Sequence, residues 1–281
     1  MMKARSPLLL LLLASLSLVL GQNAQAQIPK ADNRLIAVKV TGSKRFAEDP
    51  IIASTGLQMG VPVGEDEFKR ASRHLADTGA FTEVAYTYSY SSEGTKLELR
   101  VTDAIDFVPV RFEDFVWFSD AELRSRIKEH VPLFDGEVPL SGNLADQVSD
   151  VLQAMLVEGA LPGHVDYLRV SKPDGPTEAV SYQVSDVLIR VRNIEFTGAG
   201  EAELPALHAA AGKYPEPREY SRSRLNLLVQ KQLLPVYQSR GYLKASFGDP
   251  QPKSVKPPAA GNSPQTEEVV PHNLTDPKSV V

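Results

Sequence analysis

What most narrows the folds open to this 281-residue sequence is an internal repeat with a period of about eighty residues. Gly79-Ala80-Phe81, Gly159-Ala160-Leu161 and Gly241-Tyr242-Leu243 recur at spacings of 80 and 82. Earlier in each unit Gly60-Val61-Pro62, Gly136-Glu137-Val138-Pro139 and Gly212-Lys213-Tyr214-Pro215 recur at spacings of 76 and 76. Val101-Thr102-Asp103 returns as Val184-Ser185-Asp186, and Ala121-Glu122-Leu123 as Ala202-Glu203-Leu204. Recurrence of several landmarks in one order implies consecutive units of similar fold, each with its own small core.

Local patterns within the units spell out one succession of elements. In the first, Ile36, Val38 and Val40 alternate with Ala37, Lys39 and Thr41, the period of a strand with one buried face. A short helix is expected through Ile51 and Ile52 as far as Gly56. A second is expected from about Glu65 to Thr78, with Phe68, Ala71 and Leu75 on one face. Gly79 stops it, because a left-handed capping residue costs glycine nothing. Val84, Tyr86, Tyr88 and Tyr90 then alternate as a second strand, and Leu97, Leu99 and Val101 as a third.

The second unit repeats this order, with an opening strand expected over residues 108–118 and a capping box in Ser119-Asp120-Ala121-Glu122. Leu144, Val148, Val151, Leu152 and Met155 stripe its second helix, and residues 164–170 and 179–184 form a hairpin across Lys172-Pro173-Asp174-Gly175-Pro176. The third unit opens at residues 189–196 and carries a helix over residues 221–239 that Pro235 should kink or break.

Certain of these residues resemble a known family. The strand ends Val40-Thr41-Gly42 and Phe196-Thr197-Gly198, the mid-unit Gly60 and Gly212, and the unit ends Thr78-Gly79-Ala80-Phe81 and Tyr237-Gln238-Ser239-Arg240-Gly241-Tyr242 are similar to POTRA (polypeptide-transport-associated) domains. Such domains precede outer-membrane barrels in barrel-assembly and two-partner secretion proteins. The second unit departs from the pattern, since its opening strand lacks the glycine and Leu161-Pro162 stands where an aromatic is usual.

The resemblance implies an α+β chain of three tandem β-α-α-β-β modules, each a small three-stranded mixed sheet covered by two helices. Their expected spans are residues 34–103, 107–187 and 188–281, the last with a Pro-rich insertion or tail from about residue 249. It implies a non-enzymatic protein without cofactor or metal. The implied partners are unfolded or extended polypeptides, outer-membrane protein precursors or an assembly complex. Nothing after Phe247 reads as a series of alternating barrel strands, so polypeptide binding is carried over and barrel insertion is not. A scaffold for one fixed partner, as in cell-division-type POTRA proteins, is the competing expectation.

Main-chain recognition needs no special side chains. In a strand, helix, helix, hairpin unit the third strand should lie centrally and leave the second at an edge, where an extended client can pair. Candidate edges are residues 84–90, 164–170 and 244–247. The first is preferred, because its outward residues Ala85, Thr87 and Ser89 are small and uncharged. Thr87 is the first position to test with proline. The inward row of Val84, Tyr86, Tyr88 and Tyr90 suits the face beneath the helices at least as well as a client-contacting surface. Trp117, the sole tryptophan, is expected to be buried between units.

Other function classes lack support. With 30 basic and 35 acidic residues the chain is a poor nucleic-acid ligand, and the absence of cysteine excludes disulfides and a lipoprotein-type anchor. His74, His130, His164, His208 and His272 show no metal-type pairing. Gly198-Ala199-Gly200 has the place of a dinucleotide loop but puts Glu203 where the third glycine belongs, so it reads as a turn. Asn273-Leu274-Thr275 matches a glycosylation acceptor that is common by chance.

Lys3 and Arg5 precede an apolar run from Leu8 to Leu20, followed by Ala24-Gln25-Ala26. Residues 1–26 therefore read as a secretory signal peptide, with an uncleaved anchor as the alternative. The expected location is the periplasm or the outer membrane. The proline-rich stretch from Asp249 is either an extended tail or a long loop that returns Ser279-Val280-Val281 as the third unit's closing strand.

Overall fold

A computed structural model of the chain describes residues 33–254, 266–272 and 274–275. The signal segment, the 279–281 strand and Asn273 lie outside the described residues. The described residues form a mixed α/β fold of small sheets flanked by helices.

The first sheet is built from β1 (Leu35–Thr41), α1 (Glu48–Ser54), α2 (Glu65–Asp77), β2 (Phe81–Tyr90) and β3 (Thr95–Asp103), in the strand order β1-β3-β2. A tight turn makes β2 and β3 antiparallel, while the two-helix connection lets β1 join β3 in parallel. α2 starts where the Glu67 carboxylate accepts the Gly64 amide at 2.8 Å. It buries Phe68, Ala71 and Leu75 and ends before Gly79, whose φ is +74°.

The second sheet follows with β4 (Phe107–Phe112), α3 (Asp120–His130), β5 (Glu137–Pro139), α4 (Leu144–Glu158), β6 (His164–Ser171) and β7 (Thr177–Ser185), ordered β5-β4-β7-β6. The opening strand is shorter than expected. After Phe112 the Glu113 amide makes one more bond to the Tyr182 carbonyl, and Asp114 then turns the chain at φ +64°. The Ser119/Glu122 capping box forms as expected, and α4 buries Leu144, Val148, Leu152 and Met155.

In the third region β8 (Leu188–Val191) and β9 (Phe196–Thr197) replace the single expected strand. They lead to α5 (Leu204–Ala211), α6 (Arg222–Leu228) and α7 (Leu234–Gln238), then β10 (Gln251–Ser254), β11 (Thr266–His272) and β12 (Leu274–Thr275). The sheet order is β10-β11-β8, with β12 beside β9. Pro235 does not break the long helix. A π-helical turn over Val229–Leu233 joins α6 to α7 and widens the helix where the proline ring would crowd the Lys231 carbonyl. Residues 244–247 are not a strand, because Ala245 and Phe247 pack against the third core and Phe247 meets Tyr237 at 5.9 Å. The hairpin beside β8 is formed by β10 and β11 instead.

The first two sheets share one continuous apolar core, where separate cores were expected. Phe46 bridges them, with ring centroids 5.7 Å from Phe81 and 6.1 Å from Phe107. Arg45 lies 3.7 Å over the Phe107 ring and pairs with Asp135 and Glu137, both at 2.8 Å. The last carbonyls of α2 also meet the first amides of α4, Asn143 donating to Asp77 at 2.9 Å and Leu144 to Thr78 at 3.3 Å. Each helix thereby satisfies groups the other would leave without a partner. The third region has its own core, and Trp117 packs against both.

Candidate polypeptide-binding edge

Which backbone groups face outward follows from the hydrogen-bond pattern. In an antiparallel pair, residues alternate between bonding the partner and facing away. The Thr95 amide donates across to the carbonyl of Arg34, just before β1, and the Ser91 amide closes the hairpin on the Gly94 carbonyl. With Tyr90 opposite Thr95, the register points the amide and carbonyl of Val84, Tyr86, Tyr88 and Tyr90 away from β3. Ala85, Thr87 and Ser89 bond inward instead, Thr87 to Glu98. Thr87→Pro would therefore break the internal ladder; Tyr86 and Tyr88 are the positions whose amides face the open side.

The opposite edge of each sheet is covered by the segment between the two helices. Along β1, the Leu35 amide donates to Val61 at 2.9 Å and its carbonyl accepts from Gly60 at 2.7 Å, while Glu48 accepts the Val40 amide at 2.7 Å. Along β4 the cover is β5. Along β8, the Val191 amide donates to Arg218 and Tyr220 donates to Ile189, both at 2.7 Å. The first two covering segments coincide with the glycine-proline landmarks of the repeat. The third lies at residues 218–220, just beyond the landmark at 212–215. Sequence reasoning saw the landmark and missed its role, because a three-residue edge pairing leaves no periodic signal.

The edges that remain differ in chemistry. Beside β2, the Phe68 ring of α2 lies 4.9 Å from Tyr88, tilted by 37°, and Tyr88 meets Tyr90 at 5.3 Å. The ring row starts on the helix-covered face and runs out to 37% exposure at Tyr88 and 44% at Tyr90. It joins a core-packing role to a surface-lining one. Desolvation and then Glu65 push the Tyr88 phenol above its usual range.

On β6 the same parity points Val165, Tyr167 and Arg169 outward. Here the Val165 amide donates to Gln153 at 2.9 Å and its carbonyl accepts from Ser149 at 3.4 Å. Tyr167 donates to Asp146 at 2.6 Å, and Arg169 to the Leu140 carbonyl at 2.7 Å. The strand also carries His164 and Asp166. On β2 the Val84 carbonyl accepts from Ser72 at 3.4 Å.

The remaining sequence candidates stay apart. Among the described residues no group of three or more histidines and carboxylates could hold a metal. The His208 ring rests 5.4 Å from Phe196. Gly198 to Gly200 link β9 to α5, where Glu203 accepts from Arg240 at 2.6 Å. Trp117 is half-buried between the two cores, and its indole N–H has no hydrogen-bond partner among the described residues.

No protein-family model and no curated protein matches the chain. Solved structures do align with it. The N-terminal domain of Omp85 from the thermophilic cyanobacterium Thermosynechococcus elongatus aligns at 14% identity over 86% of this chain and 97% of its own, with a TM-score of 0.26. POTRA1-3 of the periplasmic domain of Omp85 from Anabaena aligns at 14% over 86% and 95%, with a TM-score of 0.26. Haemophilus influenzae BamA POTRA3-5 aligns at 14% over 84% and 94%, with a TM-score of 0.25. These three solved structures, to which the chain is similar, are N-terminal and POTRA segments of Omp85 and BamA.

Proposed function

We propose that this chain is a non-enzymatic, polypeptide-binding protein of the cell envelope, built from three POTRA-type modules at residues 34–103, 107–187 and 188–281. Its clients are extended segments, such as those of outer-membrane protein precursors, which add as a further strand along β2. Residues 1–26 would direct it to the periplasm or the outer-membrane surface. One observation carries the reading. The outer edge of each opening strand is covered from within, whereas β2 turns the backbone groups of Tyr86, Tyr88 and Tyr90 outward along a run from Val84 to Tyr90 that holds no charged residue or proline. Main-chain pairing along such an edge gives affinity with little sequence preference.

The test is a titration of the full chain with a capped heptapeptide, Lys-Val-Thr-Val-Thr-Val-Lys, comparing the parent with Tyr88→Pro and Tyr88→Ala. Proline removes the outward donor and the ring, alanine the ring alone. The expected result is binding by the parent and the alanine variant and its loss in the proline variant. Equal binding by a folded proline variant sinks strand addition at β2. Recovery of one stoichiometric protein from envelope extract, in place of many unfolded precursors, would favour a fixed-partner scaffold.

A further inference from the structure

We infer that one position on the helix beside each edge sets which sheet accepts a strand: Ala76 leaves the first edge open, and Gln153 closes the second. The inference rests on the proposal that β2 takes up extended chains, and it concerns how that uptake is confined to one site.

Both helices run back along their edge strands. Ser72 of α2 donates its hydroxyl to the outward carbonyl of Val84, and Ser149 of α4 donates to the outward carbonyl of Val165, each at 3.4 Å. One turn further along α4, four residues on, the Gln153 side-chain carbonyl takes the Val165 amide at 2.9 Å. The residue four beyond Ser72 is Ala76, whose methyl group offers no acceptor. Val165 therefore has both edge-facing groups satisfied within its own unit, and Val84 keeps its N–H available among the described residues.

A strand arriving at β6 must first displace Gln153, giving up a bond that a strand arriving at β2 does not meet. It would also lie beside Asp166 and Arg169, whereas the seven residues from Val84 to Tyr90 carry no charge. Both differences act in the same direction. The occupant that fits is an extended polypeptide segment of about seven residues, uncharged between its two end residues, taken up at β2 alone.

The experiment uses the full chain and the capped heptapeptide, with calorimetric stoichiometry and amide hydrogen exchange as separate readouts. Ala76→Gln should slow exchange of the Val84 amide and weaken peptide binding about tenfold, the factor that one added hydrogen bond supplies. Gln153→Ala should speed exchange of the Val165 amide and raise the stoichiometry from one peptide to two. Parent-like affinity in an Ala76→Gln variant with a protected Val84 amide overturns the inference. So does a Gln153→Ala variant that still binds a single peptide, or one whose Val165 amide is unchanged. A parent chain that binds no peptide removes strand uptake itself and the selectivity with it, even where both exchange rates shift.

Discussion

Gly79 and Gly142 pack backbone against backbone, and neither position has room for a side chain. A Cβ on Gly79 would sit 1.9 Å from the Ser141 carbonyl oxygen, and one on Gly142 would sit 2.4 Å from the Gly79 nitrogen. Both residues have positive φ, at +74° and +81°. This contact brings the end of α2 against the start of α4 and helps to fuse the first two sheets on one core. The glycine that stops a helix also forms part of a joint.

Gly79→Ala should therefore cost far more than a left-handed backbone alone explains. Gly56 is a natural control, since its φ is +72° and a Cβ added there would meet nothing within 4 Å. The expected losses are about 1 kcal/mol for Gly56→Ala and at least about 3 kcal/mol for Gly79→Ala, from urea midpoints. Equal losses would show that the Gly79 contact is not part of the folded state.

Proline should divide β2 into two alternating classes. Thr87→Pro removes a donor from the ladder to Glu98 and should lower stability by about 2 to 3 kcal/mol. Tyr88→Pro should cost within about 1 kcal/mol of Tyr88→Ala, because its amide faces outward. Circular dichroism melts of the three variants decide this, and the reverse order would mean the edge parity is wrong.

Asp114 should make the junction with the third region pH-dependent. Burial, with a smaller contribution from Glu113, raises its carboxyl from 3.8 to about 7, against the opposing pull of Arg222 and Arg224. The folded state then holds a proton that the unfolded state has released. Its contribution to stability is fully present below about pH 4 and is lost as pH rises towards 7. Asp114→Asn keeps a side chain tolerated at φ +64° and removes the titration. The variant should gain stability over the parent at pH 8 and lose that advantage at pH 4, measured as the difference in Tm. A constant difference across that range would rule out Asp114 as the titrating group.

Breaking the second junction should be costly as well. Arg222 of α6 makes a bidentate pair with Asp120 of α3 at 2.7 and 2.9 Å, and its side chain is only 16% exposed. Ser223 adds two bonds to Glu113. Asp120→Ala would leave a largely buried guanidinium without its carboxylate, and a loss of about 3 kcal/mol is expected from urea melts. Glu65→Ala, which breaks an exposed pair with Lys69, should leave the urea midpoint almost unchanged. Comparable losses for the two would contradict a structural role for the Arg222 pair.

Much of the fold was legible because its signals are local. The alternation of Val84, Tyr86, Tyr88 and Tyr90, the Phe68, Ala71 and Leu75 face and the Ser119/Glu122 capping box depend on side-chain periodicity and on contacts three or four residues apart. The repeat then supplied the order of elements, from which β2 followed as an edge.

Three readings needed distant partners and could not be made locally. The opening strand of the second unit stops at Phe112 because Asp114 turns towards α6, which lies more than a hundred residues later in the chain. Residues 244–247 look like a strand in isolation, but Phe247 finds a ring partner in Tyr237 and packs on the third core instead. Pro235 looks like a break, yet packing of Val229, Leu233 and Tyr237 holds the helix together through a widened turn.

That β2 is a strand with Ala85, Thr87 and Ser89 on one face and the tyrosines on the other follows from residue order alone, through a period of two. Which amides are open does not. That depends on whether Tyr90 or Ser91 begins the bonded pairs, a register set by the hairpin turn and by β1 beyond β3. Residue order is equally silent on the cover that residues 60–63 give β1 and on the gap that Ala76 leaves at Val84. Backbone hydrogen bonds between segments carry no side-chain signature, so the free edge is settled only once the distant segments are in place.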